Sequence, residues 1–296
     1  MQSSYSGSLS RKSSSIVLKN EQQREQQAQN KNKALMMLIL LMIPKLLKAL
    51  ASQTKEAALR IAQGQEPIPL DYPKRWGAQL TEAQREEAVK ALHVGWTIGG
   101  ANVPDAKAPS MPEEARIPVT GTGDQFSQNL DFAPPLLARI LAFLAMASKL
   151  SADTHAKRIQ REYDKLKQDK ELDNKAISEK VLERMEKKDK NHADLIAQTN
   201  ITWTGNEGLL QRYKAEGVLA MSWWTLEDER VCPSCFSLHG KVVSVDTPFV
   251  APNSPLTVEL PDGSTQTVTA PSWGVMHPPL HSRCRCHLTP VFVNVV

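Results

Sequence analysis

Little in this chain is available for cross-linking, stacking or spanning a membrane. Four cysteines in 296 residues are too few for a small fold stapled by disulfides. Aromatic residues make up 5% and the mean hydropathy is −0.37, which together exclude an integral membrane bundle. The longest unbroken apolar run is residues 34–43, half of the about 20 residues that a spanning helix needs. Neither sign of charge dominates. Lys and Arg number 36 against 32 for Asp and Glu, a net charge of +4 that is too small to demand a nucleic-acid partner.

Enzyme signatures are missing as well. The sequence has no G-x-x-x-x-G-K-[ST] phosphate loop, no G-x-S-x-G elbow, no G-x-G-x-x-G and no H-E-x-x-H, the local patterns that bring phosphate, nucleophile or catalytic zinc into place. None of the seven histidines is followed two residues later by Glu, as a zinc deaminase would require. A non-enzymatic protein is expected.

What is present falls into five stretches. Residues 1–33 are rich in Ser and Gln, with six basic residues against Glu21 and Glu25. Such a composition has almost no apolar surface to offset its ordering entropy, and it reads as a mobile basic arm. Residues 34–100 read as helical. They open on an apolar helix that is apolar all round and therefore buried on every side, as in a core or between subunits. Lysines follow the apolar run, and a long polar stretch precedes it, so neither a signal peptide nor a stable membrane span is expected. Thr81-Glu82-Ala83-Gln84 reads as a capping box opening a helix, and Gly99-Gly100 as its close. Residues 101–135 carry six prolines and read as a long connection. Residues 136–200 read as long charged helices, with twelve basic and ten acidic residues between 151 and 190 intermixed as on a solvated face. The remaining stretch, 201–296, holds four of the six tryptophans and all the cysteines. Its short β-rich runs and the Pro261-Asp262-Gly263 turn predict a hairpin of 256–260 with 264–269. The fold class is α+β, with a mostly helical N-terminal two-thirds and a small domain of short antiparallel strands.

Chemistry concentrates in that last stretch. Cys232-Pro233-Ser234-Cys235 is a C-x-x-C pair, and His281-x-x-Cys284-x-Cys286 follows about 45 residues later. Two thiolates in one tight knuckle reach the same tetrahedral ion, and a distant segment completes the shell. Cys232 and Cys235 with two of His281, Cys284 and Cys286 are the expected ligands of a structural zinc, the remaining member lying just outside the shell. His239 and His287 are weaker candidates. Two disulfides or plain buried thiols are the alternatives. His93, His155 and His192 read as surface or internally satisfied residues.

Read together, the C-terminal third resembles the phage Mu protein F-like head morphogenesis family, the minor head proteins of tailed phages. The resemblance rests on residues 193–199, Tyr213, Gly217-Val218, the Trp223-Trp224 pair, residues 228–235, Leu238-His239-Gly240-Lys241-Val242 and residues 278–286. Gln198-Thr199-Asn200 stands where family members commonly carry R-T-E. The resemblance implies a structural protein made in the host cytoplasm and incorporated in several copies inside the phage head near the portal vertex. Its implied partners are the portal protein and neighbouring head proteins, with a role in head assembly, genome packaging or delivery, and it carries over no catalytic residue. The alternative is a zinc-containing DNA-binding protein that escorts the packaged genome, using Arg283, Arg285 and Trp273.

Overall fold

In a computed structural model of the chain, the described residues are 7–103, 134–226, 231–260 and 262–292, with side chains left out for 7–30, 32, 134 and 135. Four long helices come first: α1 (Gly7–Ala62), α2 (Tyr72–Ala101), α3 (Pro134–Lys167) and α4 (Asn174–Ala215). Then follow β1 (Ala220–Trp224), the single turn α5 (Pro233–Phe236), β2 (Val242–Ser244), β3 (Pro255–Glu259), β4 (Thr265–Thr269) and β5 (His287–Val291). The α+β class holds.

The helices form a bundle because each supplies an apolar stripe at spacing three and four. In α1 the buried stripe is Leu35, Leu38, Ile39, Met42, Leu46 and Leu50; Ile140 and Ile159 of α3 and Ile177, Val181 and Met185 of α4 join the same core. Pro44 lies within α1 without ending it, since Met42 and Leu46 on either side are wholly buried. Lys45 is tied to Glu86 and Glu87 of α2 at 2.6 and 2.8 Å. Helix α2 crosses α4 where both lack side chains. A Cβ on Gly95 would overlap the Gly205 carbonyl oxygen, and one on Gly208 would overlap that of Leu92.

Helix α4 opens on Asp173, whose side chain accepts from the Ala176 N–H at 2.7 Å and satisfies one of the first-turn donors. It closes at Gly217 in the left-handed region (φ +71°). There the Val218 N–H reaches Tyr213 O and the Gly217 N–H reaches Lys214 O, the bond pair of a glycine-terminated helix. Beyond it, β1 pairs antiparallel with both β2 and β5, giving the order β2-β1-β5. The β3–β4 hairpin stands apart, in the register Leu256↔Val268, and its turn is fastened by Asp262 accepting from the Ser264 N–H and hydroxyl. A second core gathers Leu209, Leu210 and Tyr213 of α4 with Met221, Trp223, Phe249 and Leu288.

Several expectations are corrected here. The stretch 7–33 is helical and continuous with α1 rather than an unstructured arm, and Lys31 within it is buried. Residues 1–6 of the expected arm lie outside the described residues. The apolar helix is not buried on every side, for Met36, Met37, Leu40 and Leu41 are 45–61% exposed. By length and composition alone, Lys33–Ala62 would cross a bilayer, yet its buried face belongs to this chain's own core. Thr81 and Gln84 do not open a helix. They lie inside α2, where the Thr81 hydroxyl donates to Gly77 O and the Gln84 amide donates to Leu80 O and Ser148 Oγ. Gly99-Gly100 likewise sits within α2, against the Arg212 side chain. The break expected at residue 200 does not exist, since α4 runs through it. The proline-rich connection falls outside the described residues at 104–133. The hairpin at 256–269 appears within a residue of its expected ends.

Candidate metal centre

The C-x-x-C pair is shaped by the one-turn helix α5. Cys232 caps it, with the Cys235 N–H reaching the Cys232 sulfur at 3.3 Å, and Pro233 occupies the first helical position, where a missing N–H costs nothing. Both sulfurs therefore turn to the same side. The second half arrives through a tight turn in which Arg283 adopts a left-handed backbone (φ +62°), and the Cys284 N–H bonds His281 O at 3.3 Å. That turn places His281 and Cys284 against α5.

The donor atoms converge. His281 Nε2 lies 2.9 Å from Cys232 Sγ and 3.2 Å from Cys235 Sγ, while Cys235 Sγ is 3.6 Å from Cys284 Sγ. Two triples, Cys232–Cys235–His281 and Cys235–Cys284–Cys286, each have their donor atoms within 4.8 Å of one another. Cys235 belongs to both. Zinc bonds of about 2.3 Å to sulfur and 2.0 Å to nitrogen place tetrahedral ligand atoms roughly 3.5–3.8 Å apart, so the cluster is of the size that grips a single ion. A hollow of about 20 Å³ lies among these side chains. His281 Nδ1 sits 2.7 Å from Ser282 O, a partner that fixes the ring so that Nε2 faces the sulfurs. All four cysteines are free thiols, which removes the disulfide alternative.

Electrostatics favour a cation at this point. The Cys232 thiol is pulled down to about 4, first by its hydrogen bond with Cys235 and then by His281. His281 is pushed up to about 9 by its bond to Cys232. Cys235, ringed by Cys232, Cys284 and Cys286, is driven far upward instead. Sulfurs this close cannot all ionise together. A bound divalent ion lifts that restriction, because it stabilises every thiolate at once.

The knuckle is clamped to α4. Asn206 donates to Cys286 O at 3.1 Å and accepts from the Leu288 N–H at 3.3 Å. Its side-chain oxygen also takes the buried Lys31 ammonium at 2.7 Å, and burial lowers that lysine to about 7. Glu207, wholly buried one residue on, meets His277 Nε2 at 2.9 Å. Burial opposes the Glu207 charge, but the His277 bond and the nearby Arg139 hold its carboxyl below the usual range. His277 escaped the sequence reading because its partner lies 70 residues away on a helix, with no local motif to announce it.

The two weaker histidine candidates are outside both triples. His239 Nδ1 shares a 2.6 Å bond with Thr225 Oγ1 and its ring lies over Trp224. His287 is buried in β5 with neither ring nitrogen bonded. His155 and His192 are not surface residues either. Both are buried, beside Asp189, between α1, α3 and α4.

Residues 151–289 match the family model described as Phage Mu protein F like protein. This stretch of the chain belongs to that family. The Mu F-like region begins midway along α3 and ends in β5, and it contains all five convergent donors. It also contains Asn200, whose side chain donates to Gln84 Oε1 of α2, so the position where the family commonly carries an acid is here a buried neutral amide. This likeness relates the stretch to proteins of the phage head. No curated protein and no solved structure matches the chain.

Proposed function

We propose that this chain is a structural minor head protein of a tailed phage, resident inside the head beside the portal vertex in several copies. There it would contact the portal protein and neighbouring head proteins while the head is assembled and filled. The single observation supporting this reading is the Mu F-like region with its Cys and His donors converging in space. In this reading those side chains act as ligands and scaffold, not as nucleophile or base, and the protein is not an enzyme. Zinc is the ion we assign to the centre, because four thiolates, or three thiolates with one imidazole, suit its tetrahedral preference. Binding would contribute on the order of 10 kcal/mol to the folded knuckle.

The test is made on assembled particles. The chain is expected to co-purify with the portal ring after nuclease treatment, at close to one zinc per chain by elemental analysis. Cys232→Ser should lose the metal and the soluble C-terminal part together. A chain that stays out of purified heads, or that turns over a substrate in pure form, would overturn the head role. A metal-free, folded preparation with all thiols titratable would overturn the zinc assignment alone.

A further inference from the structure

A second concave site lies away from the sulfurs, on the face where α3 and α4 run side by side towards the knuckle. It encloses about 440 Å³, and its walls carry Arg158, Arg161 and Lys165 of α3, Lys188 of α4 and Arg283 of the knuckle turn. The α3 residues recur at spacing three and four, so they share one helix face. One carboxylate, Glu162, lies among these five cations. It is held by Lys188 at 2.6 Å, Arg184 at 3.4 Å and Lys165 at 3.6 Å. Arg283 is paired with Asp194 at 3.1 Å. Arg158 and Arg161 make no hydrogen bond or ion pair among the described residues.

His192 supplies an independent observation. It lines the same cleft at 2% exposure, and its Nδ1 has no hydrogen-bond partner. Burial, with help from His192's neighbour Arg158, keeps the ring neutral, lowered to about 4. Arg158 itself is lowered, first by burial, with Arg161 adding to the effect and Asp189 opposing it. Arg158 and Arg161 thus act on each other as like charges along one cleft, a repulsion that a bound anion would relieve.

We infer that this cleft binds phosphate groups of a nucleic-acid backbone. The cations form a ridge along one wall of the cleft, and apart from the buried His192 its walls offer no aromatic ring for a base, so the contact would be to phosphate and independent of sequence. From Arg158 to Lys165 the ridge is about 10 Å long at 1.5 Å per residue. Duplex DNA presents one phosphate per about 3.4 Å along each strand, so the ridge faces roughly three. The inference goes beyond the head role and does not require it.

The experiment measures binding of the full chain to a mixed-sequence duplex as salt is raised. Against the unchanged chain, Arg158→Gln with Arg161→Gln is expected to lower the slope of log K on log salt by about 2, and Lys165→Gln by about 1. Lys165, with its side chain 65% exposed, carries the test should the double variant fail to melt cooperatively. Lys48→Gln with Lys55→Gln removes two exposed cations from α1 and should leave the slope unchanged. The inference is overturned if that control lowers the slope as much as the cleft variants do. It is equally overturned if the cleft variants leave the slope alone, or if inorganic phosphate titrates the cleft while duplex binding is indifferent to it.

Discussion

Thr54, His155, Asp189 and His192 form a polar island inside the helical core. The Thr54 hydroxyl donates to Asp189 at 2.9 Å and meets His155 Nε2 at 3.2 Å, and His155 Nδ1 lies 3.5 Å from the same carboxylate. Burial lowers His155 to about 3 and His192 to about 4, with His192 and Arg158 adding to the effect on His155 and Arg158 to that on His192. It raises Asp189 to about 6 against the pull of Thr54 and Arg158. The two histidines bind fewer protons folded than unfolded, so their contribution is complete above 6.5 and is lost as pH falls towards 3–4. Asp189 works the other way, adding stability as pH falls from 6 to 3.8. Two opposing one leaves a net loss on acidification. The melting temperature is expected to drop between pH 6.5 and pH 4, and His155→Gln should remove most of the island's share of that drop, because Asp189 nearly offsets the remaining His192. An unchanged pH profile in the variant would count against the assignment.

At the scale of elements, the crossing of α2 and α4 depends on missing side chains. Gly95→Ala drives a methyl into the Gly205 carbonyl and is expected to cost about 1–3 kcal/mol in denaturant unfolding. Gly77→Ala is the matched comparison. Its Cβ would sit 3.6 Å from Lys149 Cα, an ordinary contact, so the change should be neutral or stabilise by about 0.4–1 kcal/mol. If both variants are stabilised alike, helix propensity and not close approach governs this crossing. The same glycines show what the sequence can tell. The hairpin at 255–269 was legible because strand alternation and a Pro-Asp-Gly turn are local signals. The cysteine halves were legible because two-residue spacing has one geometric consequence. Gly95, Gly205 and Gly208 were not, since their meaning lies in a helix 110 residues away. Thr81 and Gln84 misled for the converse reason: a cap and a mid-helix back-bond use the same side chains, and only the position of Tyr72–Pro73 upstream decides between them. The apolar run at 34–43 gave the helix but not its exposed face, because composition carries no information on which side a neighbour covers.

For the whole molecule, the decisive element is α4, whose first half lies in the helical core and whose last turns lie in the C-terminal one. The two cores thus share a beam rather than a linker. The family match begins at residue 151, inside α3, and omits α1 and α2 altogether. A fragment trimmed to 151–289 would strip the partners from Ile159, Ile177, Val181 and Met185 and bare the α4 glycines. Expressed alone, it should aggregate or show broad, uncooperative melting even with zinc supplied, whereas the full chain should melt sharply. A well-behaved fragment would contradict this. The recognisable portion of the protein is thus narrower than the body it is packed into: heredity is written in one stretch of chain, while the apolar surface that covers it comes from helices on the same axle that lie outside the match.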